Sequence, residues 1–119
     1  MDQQGRTAAS VPYDEELADK LRSALGRTRS VSERKMFGGI AFMVRGNMCC
    51  GVIDERLMVR VGPDAYERAL KLAHAEPMNF TGKAMRGMVY VSPEGTRTAR
   101  QLQTWIQRGL EFVGTLLAK

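Results

Sequence analysis

Two adjacent thiols, Cys49 and Cys50, one imidazole, His74, and a basic run from Arg27 to Lys35 are the groups in this chain best equipped for chemistry. A thiolate can attack an electrophile or hold a metal, provided that a nearby base or cation stabilises it. Neighbouring residues on a strand point to opposite faces, and a disulfide between them would strain the backbone. Two cysteines outside a CxxC pair cannot complete an all-thiolate zinc site, so both are read as buried, inert thiols. His74 follows a predicted helix, where a lone histidine usually meets the last carbonyls, and it has no second ligand or base at useful spacing. No catalytic residue, metal ligand or cofactor is assigned.

The run RTRSVSERK offers phosphate-directed charge instead. Arg27, Arg29, Arg34 and Lys35, with Lys83 and Arg86 as additions, are the nucleic-acid candidates. No aromatic-studded strand or recognition helix accompanies them. Just beyond stand the paired glycines Gly38-Gly39, which suit a bend or bulge where backbone passes closely. Arg34, Lys35, Phe37, Gly38, Gly39 and Arg60 form the candidate interaction set, because charge or backbone access occurs there without an evident packing need.

These groups must be positioned by elements that the pattern makes legible. Three strands are expected at 40–44, 48–53 and 57–61. Gly46-Asn47 is expected as a II′ turn between the first two, and Asp54-Glu55 as the second turn. Leu57, Val59 and Val61 alternate with Met58 and Arg60, as on a strand with one buried face. Ahead of this meander, Asp14, Glu15 and Glu16 open a helix whose stripe is Leu17, Leu21, Ala24 and Leu25. After it, Gly62-Pro63-Asp64 starts a helix running to about Ala73. Two more strands are expected at 76–80 and 88–91, joined by an exposed TGKAMRG connection. Thr98 and Gln101 form a capping box for a last helix carrying Leu102, Trp105, Ile106, Leu110, Val113, Leu116 and Leu117. Gly109 interrupts that stripe for close packing on the sheet, and Trp105 is a core anchor.

The expected architecture is α+β in two layers, a single antiparallel five-stranded sheet with helices packed on it, in the order α-β-β-β-α-β-β-α. Residues 1–12 read as a disordered tail and 13–117 as the folded domain. A chain of 119 residues suits one domain with a core, and its 44% hydrophobic and 26% charged content is that of a soluble protein. No apolar run approaches the ~20 residues that span a bilayer, and MDQQGRTAAS lacks the features of a signal peptide, so no membrane and a cytoplasmic location are expected. The net charge of +5 favours acidic partners in general, but the basic residues are scattered.

An ordered set of segments carries a family resemblance: Tyr13-Asp14-Glu15-Glu16-Leu17, Arg34 through Gly39, Gly46-Asn47-Met48-Cys49-Cys50-Gly51, Leu57 through Gly62, Met78-x-Phe80 and Tyr90-Val91. Together, over about Tyr13 to Leu117, they resemble the TfoX/Sxy N-terminal domain family. The resemblance implies a fold similar to type III secretion chaperones and YgaC-like proteins. Full-length members regulate natural competence, alongside the cyclic-AMP receptor protein at promoters. This sequence is similar to a stand-alone N-terminal domain, with no room after Lys119 for their second domain, and the family offers no catalytic residue to carry over.

The expected function is a non-enzymatic regulatory or protein-interaction module. Its partner would be another protein, with the transcription machinery or a second copy as options. Eight methionines favour adaptable surfaces, though most serve as core filler. The alternatives are direct nucleic-acid binding through the Arg27–Lys35 segment, or a small-ligand binder or thiol enzyme using Cys49 or Cys50 with Arg60, Tyr90 and His74.

Overall fold

The computed structural model of the chain describes residues 13–36, 38–80 and 83–118. The tail expected over 1–12 lies outside them. Helix α1 (Glu15–Ala24) starts where the Asp14 carboxylate accepts the backbone N–H groups of Glu16, at 2.9 Å, and Leu17, at 3.1 Å. Such a cap contributes about 1 kcal/mol, and it also places negative charge at the positive end of the helix. Leu17, Leu21 and Leu25 recur every four residues and are all buried.

Among the described residues six strands follow rather than five. They are β1 (Val31–Met36), β2 (Gly39–Val44), β3 (Asn47–Ile53), β4 (Arg56–Arg60), β5 (Ala75–Phe80) and β6 (Lys83–Val91). Every pairing between these strands is antiparallel, in the order β1-β2-β3-β4-β6-β5, and an isolated parallel bridge joins Tyr13 to Asp54. The additional strand is β1, over residues where the sequence pattern predicts no strand. Its four central residues, Ser32 to Lys35, are exposed, so no apolar alternation marks it. Its backbone pairing with β2 holds it instead.

The chain reversals differ in one place. The first turn is Arg45-Gly46, with φ of 52° and 83°, and Asn47 already pairs with Val44. Positive φ at both central residues is the I′ pattern, not the II′ turn expected one residue later. The second turn is Asp54-Glu55 as expected, closing the Ile53–Arg56 pair. The connection expected as exposed loop is largely strand, since β6 begins at Lys83.

Helix α2 (Tyr66–Leu70) is shorter than its start signal implied. Helix α3 (Ala99–Val113) carries the capping box, with Gln101 N–H donating to the Thr98 hydroxyl and Thr98 N–H to the Gln101 side chain, both at 3.0 Å. One face of the sheet packs on the helices. Phe42, Val52, Leu57, Val59, Val89 and Val91 meet Leu21, Leu102, Trp105, Ile106 and Val113 there. Fully burying each large apolar side chain stabilises by roughly 1.5–3 kcal/mol, so this face dominates the fold. The opposite face gathers Ile53, Met58, Met78, Met88 and Tyr90. Arg56 covers Tyr90 there, 3.8 Å from the ring centroid. No described helix is long and apolar enough to cross a membrane.

Gly109 sits where α3 crosses β3. A Cβ at that position would stand 2.9 Å from the Cys49 carbonyl oxygen and 3.0 Å from its sulfur. In an open helix, Gly to Ala stabilises by about 1 kcal/mol. Here overpacking reverses the sign, and Gly109→Ala should lower stability by roughly 1–3 kcal/mol in urea unfolding. Replacement of the exposed Gln107 by Ala on the same helix should change it by less than about 0.5 kcal/mol. A raised midpoint for Gly109→Ala would contradict the packing described.

Candidate interaction surface

The two edges of the sheet are unlike. Along β5 the ladder is interrupted between Pro77 and Asn79, and proline has no N–H to offer. Strand β1 pairs with β2 without interruption through all six residues. Arg45 N–H donates to the Ser30 carbonyl at 3.0 Å, in register with that ladder. Antiparallel bonding alternates along a strand, so Ser32, Arg34 and Met36 turn their backbone groups toward β2. Val31, Glu33 and Lys35 turn theirs outward. The edge therefore presents three N–H and three C=O groups to a neighbour.

Side chains fix that edge against α1. Arg22 grips Glu33 with a fork, Nε to Oε2 at 2.6 Å and Nη2 to Oε1 at 2.9 Å. A third bond from Arg22 reaches Asp19 at 2.6 Å. The hydrogen bond from Arg22, with its charge, holds the Glu33 carboxyl below the usual carboxylate range. It also raises the Arg22 guanidinium. Glu33 and Arg22 are 39% and 41% exposed, so solvent screens the pair and it contributes less than about 1 kcal/mol.

The candidate residues divide by position. Arg27 and Arg29 are exposed in the approach to β1, and Arg34 and Lys35 are exposed on it. Arg34 lies opposite Ala41 and Lys35 opposite Ile40, so the two side chains leave from opposite faces. Gly38 has φ of 79°, and a Cβ on Gly39 would approach the Val52 carbonyl oxygen to 2.3 Å. Gly39 thus answers to a close backbone passage, and Gly38 to the positive φ of the turn. Phe37 lies outside the described residues.

Arg60 is elsewhere, on β4, three strands from β1 and so roughly 14 Å away. It has a packing partner after all. Its guanidinium stands 5.2 Å from the Phe112 ring centroid, and Nη1 donates to the Met48 carbonyl at 3.4 Å. Arg86, on β6, is near the far edge, with Glu67 at 3.8 Å and the Tyr66 ring centroid at 5.8 Å. Lys83 opens β6, and its side chain is outside the described set. The six nucleic-acid candidates therefore make no single patch; only Arg27, Arg29, Arg34 and Lys35 gather.

The thiols correct a second expectation. The β2–β3 register shifts so that Phe42 pairs with Cys50 and Met43 with Met48, leaving Cys49 as the extra residue of a bulge. Both cysteines therefore join the helix-facing core, fully buried, rather than dividing between faces. The hydrogen bond between them, together with burial, pushes the Cys50 thiol well up. Tyr90 lies on the opposite face, and His74 is exposed in the connection between α2 and β5 with φ of 72°. The groups of a thiol-based pocket are not brought together. Among the described residues, no three His, Cys, Asp or Glu side chains gather as a metal site.

What the sequence reading missed was the edge itself. The only signal was Val31 and Met36 bracketing four polar residues. Comparison with family models gives a match to the TfoX N-terminal domain over residues 23–113. Neither the curated proteins nor the solved structures return a match.

Two measurements check this geometry. In the folded protein both thiols should react with an alkylating reagent only as fast as the chain opens, and reaction at the rate of a free thiol would contradict their enclosure. Because the Glu33 carboxyl is lowered in the fold, its contribution is full above the ordinary value of about 4.3 and fades as pH falls through the folded one. Glu33→Gln should therefore lose less than about 1 kcal/mol at neutral pH, and that deficit should close in acid.

Proposed function

The chain belongs to the TfoX N-terminal domain family, and from that footing we propose that it is a non-catalytic recognition module that takes a protein partner at the β1 edge. The observation that carries this reading is the outward row of backbone groups on Val31, Glu33 and Lys35 beside an interrupted opposite edge. Strand addition draws its affinity from main-chain hydrogen bonds and its selectivity from alternate side chains. Glu33, Arg34 and Lys35 would supply that selectivity, with Arg27 and Arg29 adding positive charge for an acidic partner. A regulatory role in the cytoplasm, alongside the transcription machinery, agrees with the family. A second copy of the chain is the other candidate occupant.

Nucleic-acid contact by Arg27, Arg29, Arg34 and Lys35 is the second reading, favoured by their position along one edge. Against it, Glu33 interrupts the row and Arg34 and Lys35 leave from opposite faces. Phosphate binding would also fall steeply with salt, whereas strand addition would not.

Lys35→Pro is the deciding variant. It removes an outward N–H and leaves the β1–β2 ladder intact, so the melting temperature should hold within a few degrees. Capture of the partner from cells, and any self-association seen by sedimentation, should fall at least tenfold, the worth of about one lost hydrogen bond plus the misfit of the ring. Undiminished capture by a folded Lys35→Pro variant would sink the proposal. Retention on random duplex DNA that disappears at high salt would favour the second reading.

A further inference from the structure

Three surface hollows converge on Arg108, on α3. Helix α3 presents Arg100, Thr104 and Arg108 at four-residue spacing, on the side that faces the connection between α2 and β5. The hollow there holds about 360 Å³, the size of a small-molecule site. Leu72, with the small exposed margin of the otherwise buried Trp105, gives it apolar surface; Arg100, Arg108 and His74 give it its ionisable groups. Among the described residues no carboxylate lines it.

Arg108 itself is unusually placed. Its guanidinium stands 5.4 Å from the Trp105 ring centroid. The Nε–H is buried and meets no acceptor. The side chain therefore lies back along the helix against the Trp105 ring. The two terminal nitrogens make no hydrogen bond among the described residues, and of the guanidinium only Nε is both buried and unpaired there. Glu111 shares the neighbouring hollows with Arg108, yet no ion pair joins them among the described residues. A guanidinium pinned over a ring, with its outer edge free, is prepared for an oxyanion.

We propose that this hollow binds a small ligand in which an oxyanion is joined to a flat apolar body. Arg108 and Arg100 take the oxyanion, and the body lies against Leu72 and Trp105. Carboxylate and phosphate share this chemistry, and the experiment separates them. The site stands apart from the β1 edge, so either reading can fail without the other.

Trp105 is the sole tryptophan of the chain, so its fluorescence reports on the hollow directly. The full-length protein is titrated with phenylacetate, phenyl phosphate, inorganic phosphate and benzyl alcohol. A saturable change with phenylacetate or phenyl phosphate is expected below about 10 mM, and whichever binds tighter identifies the oxyanion. Arg108→Gln should weaken it roughly tenfold or more, and Arg108→Lys, which keeps charge and loses the planar fork, should fall between. Melting curves verify that the variants fold, which the unpaired Nε leads one to expect. No saturable change with either aromatic anion overturns the proposal. So does equal affinity in Arg108→Gln, equal binding of benzyl alcohol, or inorganic phosphate binding as well as phenyl phosphate.

Discussion

Everything in this fold is set by how closely α3 lies on the sheet. At Gly109 the helix backbone comes down onto Cys49, leaving no room for even one methyl group between them. That approach is possible because β3 carries an extra residue there. The bulge turns both thiols under the helix, where they fill volume and are closed off from chemistry. The same approach seats Trp105 and Ile106 in the core, on the next turn up. It also sets the side of the helix on which Arg100 and Arg108 emerge. Position of one helix thus decides which groups are inert and which are available.

How much of this could be read from residues alone depended on whether a side-chain pattern accompanied the backbone. Helix α3 declared itself through Thr98, Gln101 and a long apolar stripe, and β4 through strict alternation. The family, too, was legible in the order of short segments. Strand β1 was not, because an edge strand exposed on both faces is held by main-chain bonds that any sequence can make. The bulge at Cys49 was equally silent. It is a matter of register between two strands, and register depends on the partner as much as on the strand. That silence is why the thiols were placed on opposite faces. Arg108 escaped notice for a third reason: on a polar helix face it reads as one more solvated charge, and only the burial of its Nε distinguishes it.

The basic excess of the chain resolves in space into separate tasks. Arg22 ties α1 to β1 through Glu33, Arg56 covers Tyr90, and Arg60 closes over Phe112. These three work within the fold. Arg27, Arg29, Arg34 and Lys35 line one edge of the sheet, while Arg100 and Arg108 attend a hollow on the helical layer. A net charge of +5 therefore does not describe one electropositive face. It is the sum of local arrangements, each with its own neighbours.

Pro77 and the broken ladder beside it have a consequence for how many molecules could ever join. A sheet with two hospitable margins can recruit copies without limit, and filaments grow that way. This one has a single hospitable margin. If two molecules met there, each would use up the other's only opening, and growth would end at the pair. The proline makes any such union finite.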